Sequence, residues 1–240
     1  MSIVNNIISR VVSDIYKDLL NSIGNNDHIS LNNLYDIESP HEKYGQIKMV
    51  VKDVYHPDYC QGRLSTFFIE NDIVGMMFYM LPKPNSQKPI FGVDIMSSLY
   101  ALSMICIDVD TFKPDGEIID YLQKLKSKFL EISAQRKTPT NFKDIFSTNH
   151  IVVGVKKGSE EQAKKLLIRH NNWIHSILLS KTNENNLASK NNFEHLNKWL
   201  EAMCLNIKES KYWEKVFGEQ LANKLLREIL FPKIGNYSDR

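Results

Sequence analysis

One aspartate in the chain is a candidate for acid–base chemistry, because it lies inside an apolar segment. Asp94 interrupts the run Ile90–Met96 and has no adjacent cation. In a strand, alternation places Phe91 on one face and Asp94 with Met96 on the other. Burial among apolar side chains would raise the pKa of this carboxyl group, which suits a proton donor. The spacing fits a water-exposed edge strand equally well, so both interpretations stay open at this point.

Three further acidic residues occupy strand or turn positions. Asp108 and Asp110 alternate in a segment that ends at Pro114, and we expect them in a surface loop. Glu70 precedes Asn71-Asp72, a pair that favours a tight turn. Taken alone, Glu70 is predicted to be a turn residue.

The familiar motifs of nucleotide, metal and hydrolytic sites are absent from the sequence. It contains no GxGxxG, P-loop, HExxH, GxSxG or CxxC pattern, and its three cysteines are Cys60, Cys106 and Cys204. The seven histidines are not spaced as metal ligands. We therefore expect no bound metal or flavin, and the odd number of distant cysteines suits a reducing cytoplasm.

The composition is that of a globular protein in which charge is unevenly distributed. The chain has 240 residues, of which 42% are hydrophobic and 24% charged. No apolar run approaches the roughly 18 residues of a membrane span, and the N-terminus lacks the pattern of a secretory signal. Residues 1–120 carry a formal charge of −7 and residues 121–240 one of +9. A basic half attracts nucleic acid, a membrane surface or an acidic protein.

Hydrophobic periodicity predicts one domain over residues 1–240, in which helices cover an antiparallel sheet. Helical spacing marks residues 3–22, 115–132, 159–180, 193–207 and 212–231. Segments rich in β-branched and aromatic residues predict strands at 47–54, 64–70, 73–81, 90–97, 101–109 and 150–155. Short connections favour antiparallel hairpins, because a parallel crossover needs a dozen residues or more. The expected fold class is α/β, a three-layer α/β/α sandwich with a central antiparallel β-sheet.

Three short motifs occur in order along the chain. They are Pro89-Ile-Phe-Gly-Val-Asp94-Ile-Met, then Asp144-Ile-Phe-Ser147, then Phe217-Gly-Glu219 followed by Glu228-Ile-Leu-Phe231. Together, over about residues 45–232, they resemble the ferredoxin-dependent bilin reductases. The resemblance implies that Asp94 is the central catalytic aspartate, a general acid toward a linear tetrapyrrole.

The region before the third motif is most similar to the phycocyanobilin-forming branch of that family. The resemblance implies that Asn206 takes the place of a catalytic pocket asparagine and Lys208 that of a propionate-binding lysine. Lys137, with Arg136 beside it, falls where the family has a propionate-binding arginine.

Two positions bear on the product that the resemblance implies. The pocket glutamate of this branch aligns with Glu70 if the hairpin is shortened, so Glu70 is a candidate catalytic residue. The pocket histidine is replaced by Met77, and methionine can pack against a tetrapyrrole but cannot donate a proton. A phycoerythrobilin- or dihydrobiliverdin-type product therefore stays open beside phycocyanobilin.

A bilin is a large conjugated anion that needs an apolar slot and cations for two propionates. The residues expected to line the slot from the sheet are Met76, Met77, Phe78, Met80, Phe91 and Met96. Trp199 and Met203 recur at helical spacing and are expected to close it, although the same spacing fits plain core packing.

The activity that the resemblance implies is the reduction of biliverdin IXα to a phycobilin of the phycocyanobilin type. A reduced [2Fe-2S] ferredoxin would supply the electrons one at a time, through bilin radicals. An acidic ferredoxin fits the basic second half, with candidate contacts at Lys124, Lys126, Lys128, Lys156 and Lys157. We expect a cytoplasmic monomer with no nucleic-acid or membrane partner. The alternatives from other classes are a non-catalytic bilin-binding protein and a basic nucleic-acid-binding module.

Overall fold

The computed structural model covers most of the chain. It describes residues 6–24, 29–42, 45–98, 101–112, 115–138, 142, 145–179, 190–205 and 207–235. Within these ranges, no helix has both the length and the apolar character of a membrane span.

Across the described residues, one antiparallel sheet of eight strands forms the centre of the fold. The strands are β1 (Ser30–His41), β2 (Gly45–Tyr55), β3 (Tyr59–Ile69), β4 (Asp72–Pro82), β5 (Ile90–Ser98), β6 (Ala101–Asp110), β7 (Ser133–Gln135) and β8 (Ile151–Val155). Their order in the sheet is β1-β2-β3-β4-β5-β6-β8-β7. The first six strands are therefore a meander, as the short connections predicted.

Two layers of helices cover the sheet, one on each face. The first layer comprises α1 (Asn6–Gly24), α2 (Gly116–Ile132) and α3 (Glu160–Leu179), which share one hydrophobic core with the sheet. The second comprises α4 (Lys190–Cys204), α5 (Ile207–Phe217), α6 (Glu219–Lys224) and a π-helix (Leu225–Leu230), which share the other core. These two sides are called the α1–α3 face and the α4–α6 face. The predicted three-layer α/β/α sandwich is confirmed.

Strand β1 is an element that the sequence pattern does not predict. Its sequence contains Asn32, Asn33 and Pro40, and within the strand only Ile37 is buried. Because β1 lies at the edge of the sheet and pairs only with β2, its side chains need not alternate between apolar and polar.

The predicted helix at residues 212–231 is divided at Gly218. This glycine has a φ of +82°, a left-handed conformation that ends a helix and that glycine adopts without strain. Helix α5 therefore ends at Phe217, and α6 begins at Glu219 and continues into the π-helix.

Candidate active site between the sheet and the C-terminal helices

Strands β3 to β6 bring a row of side chains together on the α4–α6 face. The register pairs Ser65 with Met77, Met77 with Asp94, and Asp94 with Cys106. Paired residues point to the same face, with Cβ atoms about 4.5–5.5 Å apart. Asp94 thus lies between Met77 and Cys106, and Phe91 points to the opposite core, as alternation predicted.

Asp94 borders a cleft between the sheet and the C-terminal helices. The cleft is lined by Met49, Ser65, Phe67, Gly75, Met76, Met77, Asp94, Met96, Trp213 and Leu230. Within this set Asp94 is the one acid or base, and it is half-buried. A carboxyl group in such surroundings suits a proton donor, and that role of Asp94 stays a prediction.

The cleft is narrow. It encloses about 20 Å³, which is room for one or two water molecules. Sites for drug-sized ligands have volumes of about 300–1,000 Å³. A tetrapyrrole therefore needs more room than this cleft, which Trp213 of α5 and Leu230 of the π-helix line, provides in the described part of the chain.

Methionine side chains form much of the floor of the cleft. Met77 is paired with Asp94, and Met96 is two residues further along β5; both line the cleft. Met49 belongs to the same cleft, from β2. Because unbranched thioether side chains change shape easily, this floor suits a large planar ligand.

Trp199 on α4 packs over the sheet next to Asp94. A Cβ atom added to Gly92 would lie 3.5 Å from the Trp199 ring, and the Trp199 and Tyr79 ring centroids are 5.4 Å apart. Trp199 is 2% exposed, and its indole N–H has no acceptor among the described residues. Met203 belongs to the same core. Both residues therefore lie on the Asp94 side of the sheet, beside the cleft lining.

Two polar side chains from the sheet hold the π-helix in place. The Tyr79 hydroxyl donates to the Leu230 carbonyl and accepts a hydrogen bond from Gln61 Nε2 at 2.6 Å. Arg63 Nε donates to the Ile229 carbonyl at 2.9 Å. Burial raises the pKa of Tyr79, so its hydroxyl keeps the proton that it donates. These contacts fix the position of Leu230 against the cleft.

Arg136 lies at the far side of the same sheet face. Its backbone N–H donates to the Val152 carbonyl at 2.8 Å, and a Cβ atom on Gly154 would lie 2.6 Å from Arg136 Nε. Val152 pairs with Cys106, so Val152 and Gly154 share the face of Asp94. The structure thus brings Arg136 to the predicted side of the sheet, and the neighbouring Lys137 is exposed.

The structure corrects the prediction of a surface loop at Asp108. This residue is in strand β6 and is 2% exposed. Its carboxyl accepts hydrogen bonds from Ser147 Oγ at 2.6 Å and from Ser147 N–H at 3.2 Å. Burial raises the pKa of Asp108 to about 7, and the hydrogen bond from the Ser147 side chain opposes that rise. Asp110 is also in β6, and its carboxyl lies 2.6 Å from His195 Nε2.

The predicted slot lining from the sheet needs correction as well. Phe91 is fully buried in the core of the α1–α3 face, where its ring centroid is 6.1 Å from that of Tyr59. Phe78 and Met80 belong to that core too. Alternation along β4 and β5 therefore directs these three side chains away from the cleft. Met76 belongs to the same core and also borders the cleft.

The structure does not bring Glu70 to Asp94. Glu70 is exposed in the β3–β4 turn with a φ of +54°, and its carboxylate accepts a hydrogen bond from Gln46 N–H at 3.1 Å. It is five residues from Ser65, which is roughly 17 Å along a strand. Glu70 lies in the turn, as its position alone predicted, and away from the cleft, and the catalytic role implied by the resemblance stays a prediction.

Two predicted site residues cannot be compared with the structure. Asn206 and the side chain of Lys208 lie outside the described residues. Their roles stay predictions.

Several residues of the site carry little signal in the sequence. Strand register and helix packing bring Ser65, Phe67 and Trp213 to the cleft. The types of these residues alone do not predict that position. Asp108 had a signal, because it interrupts the apolar strand Ile105–Val109 in the way that Asp94 interrupts its own. Among the described residues, no three His, Cys, Asp or Glu side chains are grouped as metal ligands would be.

The sequence matches the model of one protein family over the region that forms this site. The family is described as ferredoxin-dependent bilin reductase, and the match covers residues 54–232. The chain belongs to the ferredoxin-dependent bilin reductases. Members of this family are oxidoreductases, so the protein is an enzyme of this class.

Two solved structures share the fold of this bilin reductase. Phytochromobilin synthase from tomato, in complex with biliverdin, is 13% identical with a TM-score of 0.70, over 92% of this chain and 82% of that chain. PcyX is 13% identical with a TM-score of 0.55, over 93% of this chain and 99% of that chain. At 13% sequence identity, the similarity to these two structures is evidence for the fold alone.

Proposed function

We propose that this bilin reductase converts biliverdin IXα to a phycobilin of the phycocyanobilin type, with electrons from a reduced [2Fe-2S] ferredoxin. The observation that carries the proposal is the half-buried Asp94 on a methionine-lined cleft. The family match supports the reaction class, and the biliverdin complex of the tomato enzyme supports the substrate.

Asp94 is the general acid in this proposal. Reduction of one carbon–carbon double bond consumes two electrons and two protons, and each electron makes the tetrapyrrole more basic. Met77 and Met96, which carry no charge, flank Asp94, so its carboxyl group is the acid that faces the substrate in this proposal. Asp94 therefore holds a proton where the bilin needs one and delivers it as electrons arrive singly.

The propionates of the bilin bind at the β8 side of the sheet. Arg136 rests over Gly154 on the cleft face, and a guanidinium group binds a carboxylate through two parallel hydrogen bonds. Lys137 and Lys208 are the candidate cations for the second propionate. Trp199 offers its unpartnered indole N–H to a carbonyl oxygen once the cleft opens.

The product depends on the groups beside Asp94. Met77 cannot donate a proton. This enzyme therefore has one fewer proton donor next to the substrate than the phycocyanobilin-forming branch, which has a histidine at this position. Phycocyanobilin is our proposal from the C-terminal sequence, and a phycoerythrobilin-type product is the alternative that Met77 favours.

Ferredoxin docks on the lysine-rich surface around the C-terminal half of α2. Lys124 and Lys128 are exposed there, as are Lys156 and Lys157 after β8. Lys156 Nζ donates to the Glu131 carbonyl at 3.2 Å, which brings the two groups of lysines to one surface. A basic surface attracts an acidic partner and speeds the encounter.

An anaerobic assay tests the proposal. The protein is mixed with biliverdin IXα, ferredoxin and a ferredoxin-reducing system, absorbance is followed, and the products are separated by chromatography. We expect absorbance that changes with time and a phycobilin product. A shifted but static spectrum would indicate a bilin-binding protein, and the absence of any bilin spectrum would contradict the proposal.

A further inference from the structure

Asp108 is a buried carboxyl group that the proposed reaction does not use. It occupies the sheet face of Asp94, because Asp108 pairs with Gly92 and Asp94 with Cys106. Burying a carboxyl group is unfavourable unless hydrogen bonds compensate. The compensating side-chain contact comes from the Ser147 hydroxyl at 2.6 Å, and the backbone N–H groups of Ser147, at 3.2 Å, and of Val109 add to it. Asp108 therefore anchors the chain just before β8.

Ser147 extends this anchor to a histidine. The Ser147 carbonyl accepts the His150 N–H at 3.2 Å and lies 2.6 Å from His150 Nδ1. Nδ1 must then carry a proton, which leaves Nε2 as the acceptor in the neutral ring. His150 Nε2 lies 2.7 Å from Thr138 Oγ1, so the Thr138 hydroxyl is the donor. The contacts form one continuous set from Asp108 through Ser147 and His150 to Thr138.

This series of hydrogen bonds ends at Thr138, two residues from Arg136 in the sequence. Residues 136–138 follow β7, which has only three residues, so few ladder hydrogen bonds hold them. One is the Arg136 N–H to the Val152 carbonyl at 2.8 Å, and the Thr138 hydroxyl supplies a second attachment from the other end. The two attachments fix the backbone beside Arg136, and the side chain of this exposed residue lies over Gly154, where an added Cβ atom would be 2.6 Å from Arg136 Nε.

We propose that Asp108, Ser147, His150 and Thr138 are positioning residues that hold Arg136 for a carboxylate of the substrate. The inference rests on the proposed function, since it takes the ligand to be a bilin with free propionates. In this proposal Asp108 acts on the ligand through Arg136, and its role is to select the anionic substrate.

The test compares biliverdin IXα with its dimethyl ester, which has the same ring system and no negative charge on the propionates. Dissociation constants for both are measured by absorbance titration in the wild type, Ser147→Ala and Thr138→Val. Ser147→Ala removes the shorter hydrogen bond to Asp108, and Thr138→Val removes the last contact of the set without altering Asp108. Ser127→Ala is the matched control. It also removes a serine hydrogen bond, from Ser127 Oγ to the Gln123 carbonyl at 2.9 Å, but on the exposed side of α2.

We expect the wild type and Ser127→Ala to bind the diacid more tightly than the ester. In Ser147→Ala and Thr138→Val that preference falls about tenfold, while the affinity for the ester stays within about twofold. If the residues had a purely structural role, the variants would bind both the diacid and the ester more weakly to the same extent, and that result would overturn the inference. Full retention of the preference in a folded Thr138→Val would overturn it too. If the wild type binds neither bilin, the proposed function itself fails.

Discussion

Single residues set the proton supply of this enzyme. Asp94 is paired with Met77 on β4 and Cys106 on β6, so the acid stands next to a side chain that has no proton to give. The sequence predicts the sheet face of Asp94 correctly because alternation in an apolar strand is a strong constraint. It misplaces Glu70, because an alignment across a hairpin of different length says nothing about where a side chain points.

Met77→His tests the importance of that pairing. An imidazole at this position would add a second acid or base opposite Asp94, so we expect the product distribution to change, as measured by chromatography of single-turnover products. Met49→His is the matched control, since Met49 lines the same cleft from β2. Unchanged products in Met77→His, or the same change in both variants, would contradict the pocket geometry.

At the scale of elements, packing and backbone conformation determine what the sequence pattern can reveal. Strands β2 to β6 are predicted well because each presents apolar side chains to one or both cores. The edge strand β1 and the three-residue β7 are held mainly by backbone pairing. Backbone pairing does not require apolar side chains at alternate positions, so these strands have no hydrophobic pattern in the sequence. The break at Gly218 was not predicted, because one glycine between helical segments does not by itself report a positive φ.

Replacing Gly218 tests the junction between α5 and α6. Gly218→Ala puts a Cβ atom on a residue with a φ of +82°, and we expect a loss of about 1–2 kcal/mol in the free energy of unfolding. Denaturant titration measures it. Gly116→Ala is the control, since Gly116 is at the start of α2, with no atom within 4 Å of an added Cβ and no positive φ. Equal effects in both variants would contradict the strain argument.

The contact between α2 and α3 makes stability depend on pH through His170. His170 is 0% exposed, and its Nδ1 lies 3.3 Å from the Tyr121 hydroxyl. Burial lowers the pKa of His170 from 6.5 to about 3. Because the unfolded chain binds this proton first, stability is present above about pH 6.5 and is lost as the pH falls toward 3.

His170→Phe removes this ionisation and keeps a ring against Tyr121. Between pH 7.5 and pH 5 we expect the wild type to lose about 2 kcal/mol more of its unfolding free energy than the variant does. Urea titrations at the two pH values measure the difference. Identical losses would show that His170 does not titrate as burial requires.

At the scale of the whole molecule, only part of the positive charge in the second half of the sequence lies on one surface. The charge of +9 on residues 121–240 includes the lysines of α2 and of the β8–α3 turn. The sequence predicts ferredoxin contacts at Lys124, Lys126, Lys128, Lys156 and Lys157, but it does not show that helices α2 and α4 lie on opposite faces of the sheet.

Charge-reversal variants test which of the two helical layers binds ferredoxin. Lys124→Glu/Lys128→Glu on α2 is expected to raise the KM for ferredoxin about tenfold at low salt, and to reduce the effect of added salt on turnover. Lys198→Glu, on the exposed side of α4, is the control and should leave KM for ferredoxin nearly unchanged. A larger effect of Lys198→Glu would place docking on the α4–α6 face.

The central claim is that Asp94 gives a proton to the bilin in the cleft. Asp94→Asn keeps the shape of the side chain and removes the acid, so absorbance spectra under anaerobic reduction by ferredoxin test the claim directly. We predict that the variant binds biliverdin IXα with an affinity close to that of the wild type and that its reduction stops or yields a different product. Turnover of the variant to the wild-type product at the wild-type rate would contradict the claim.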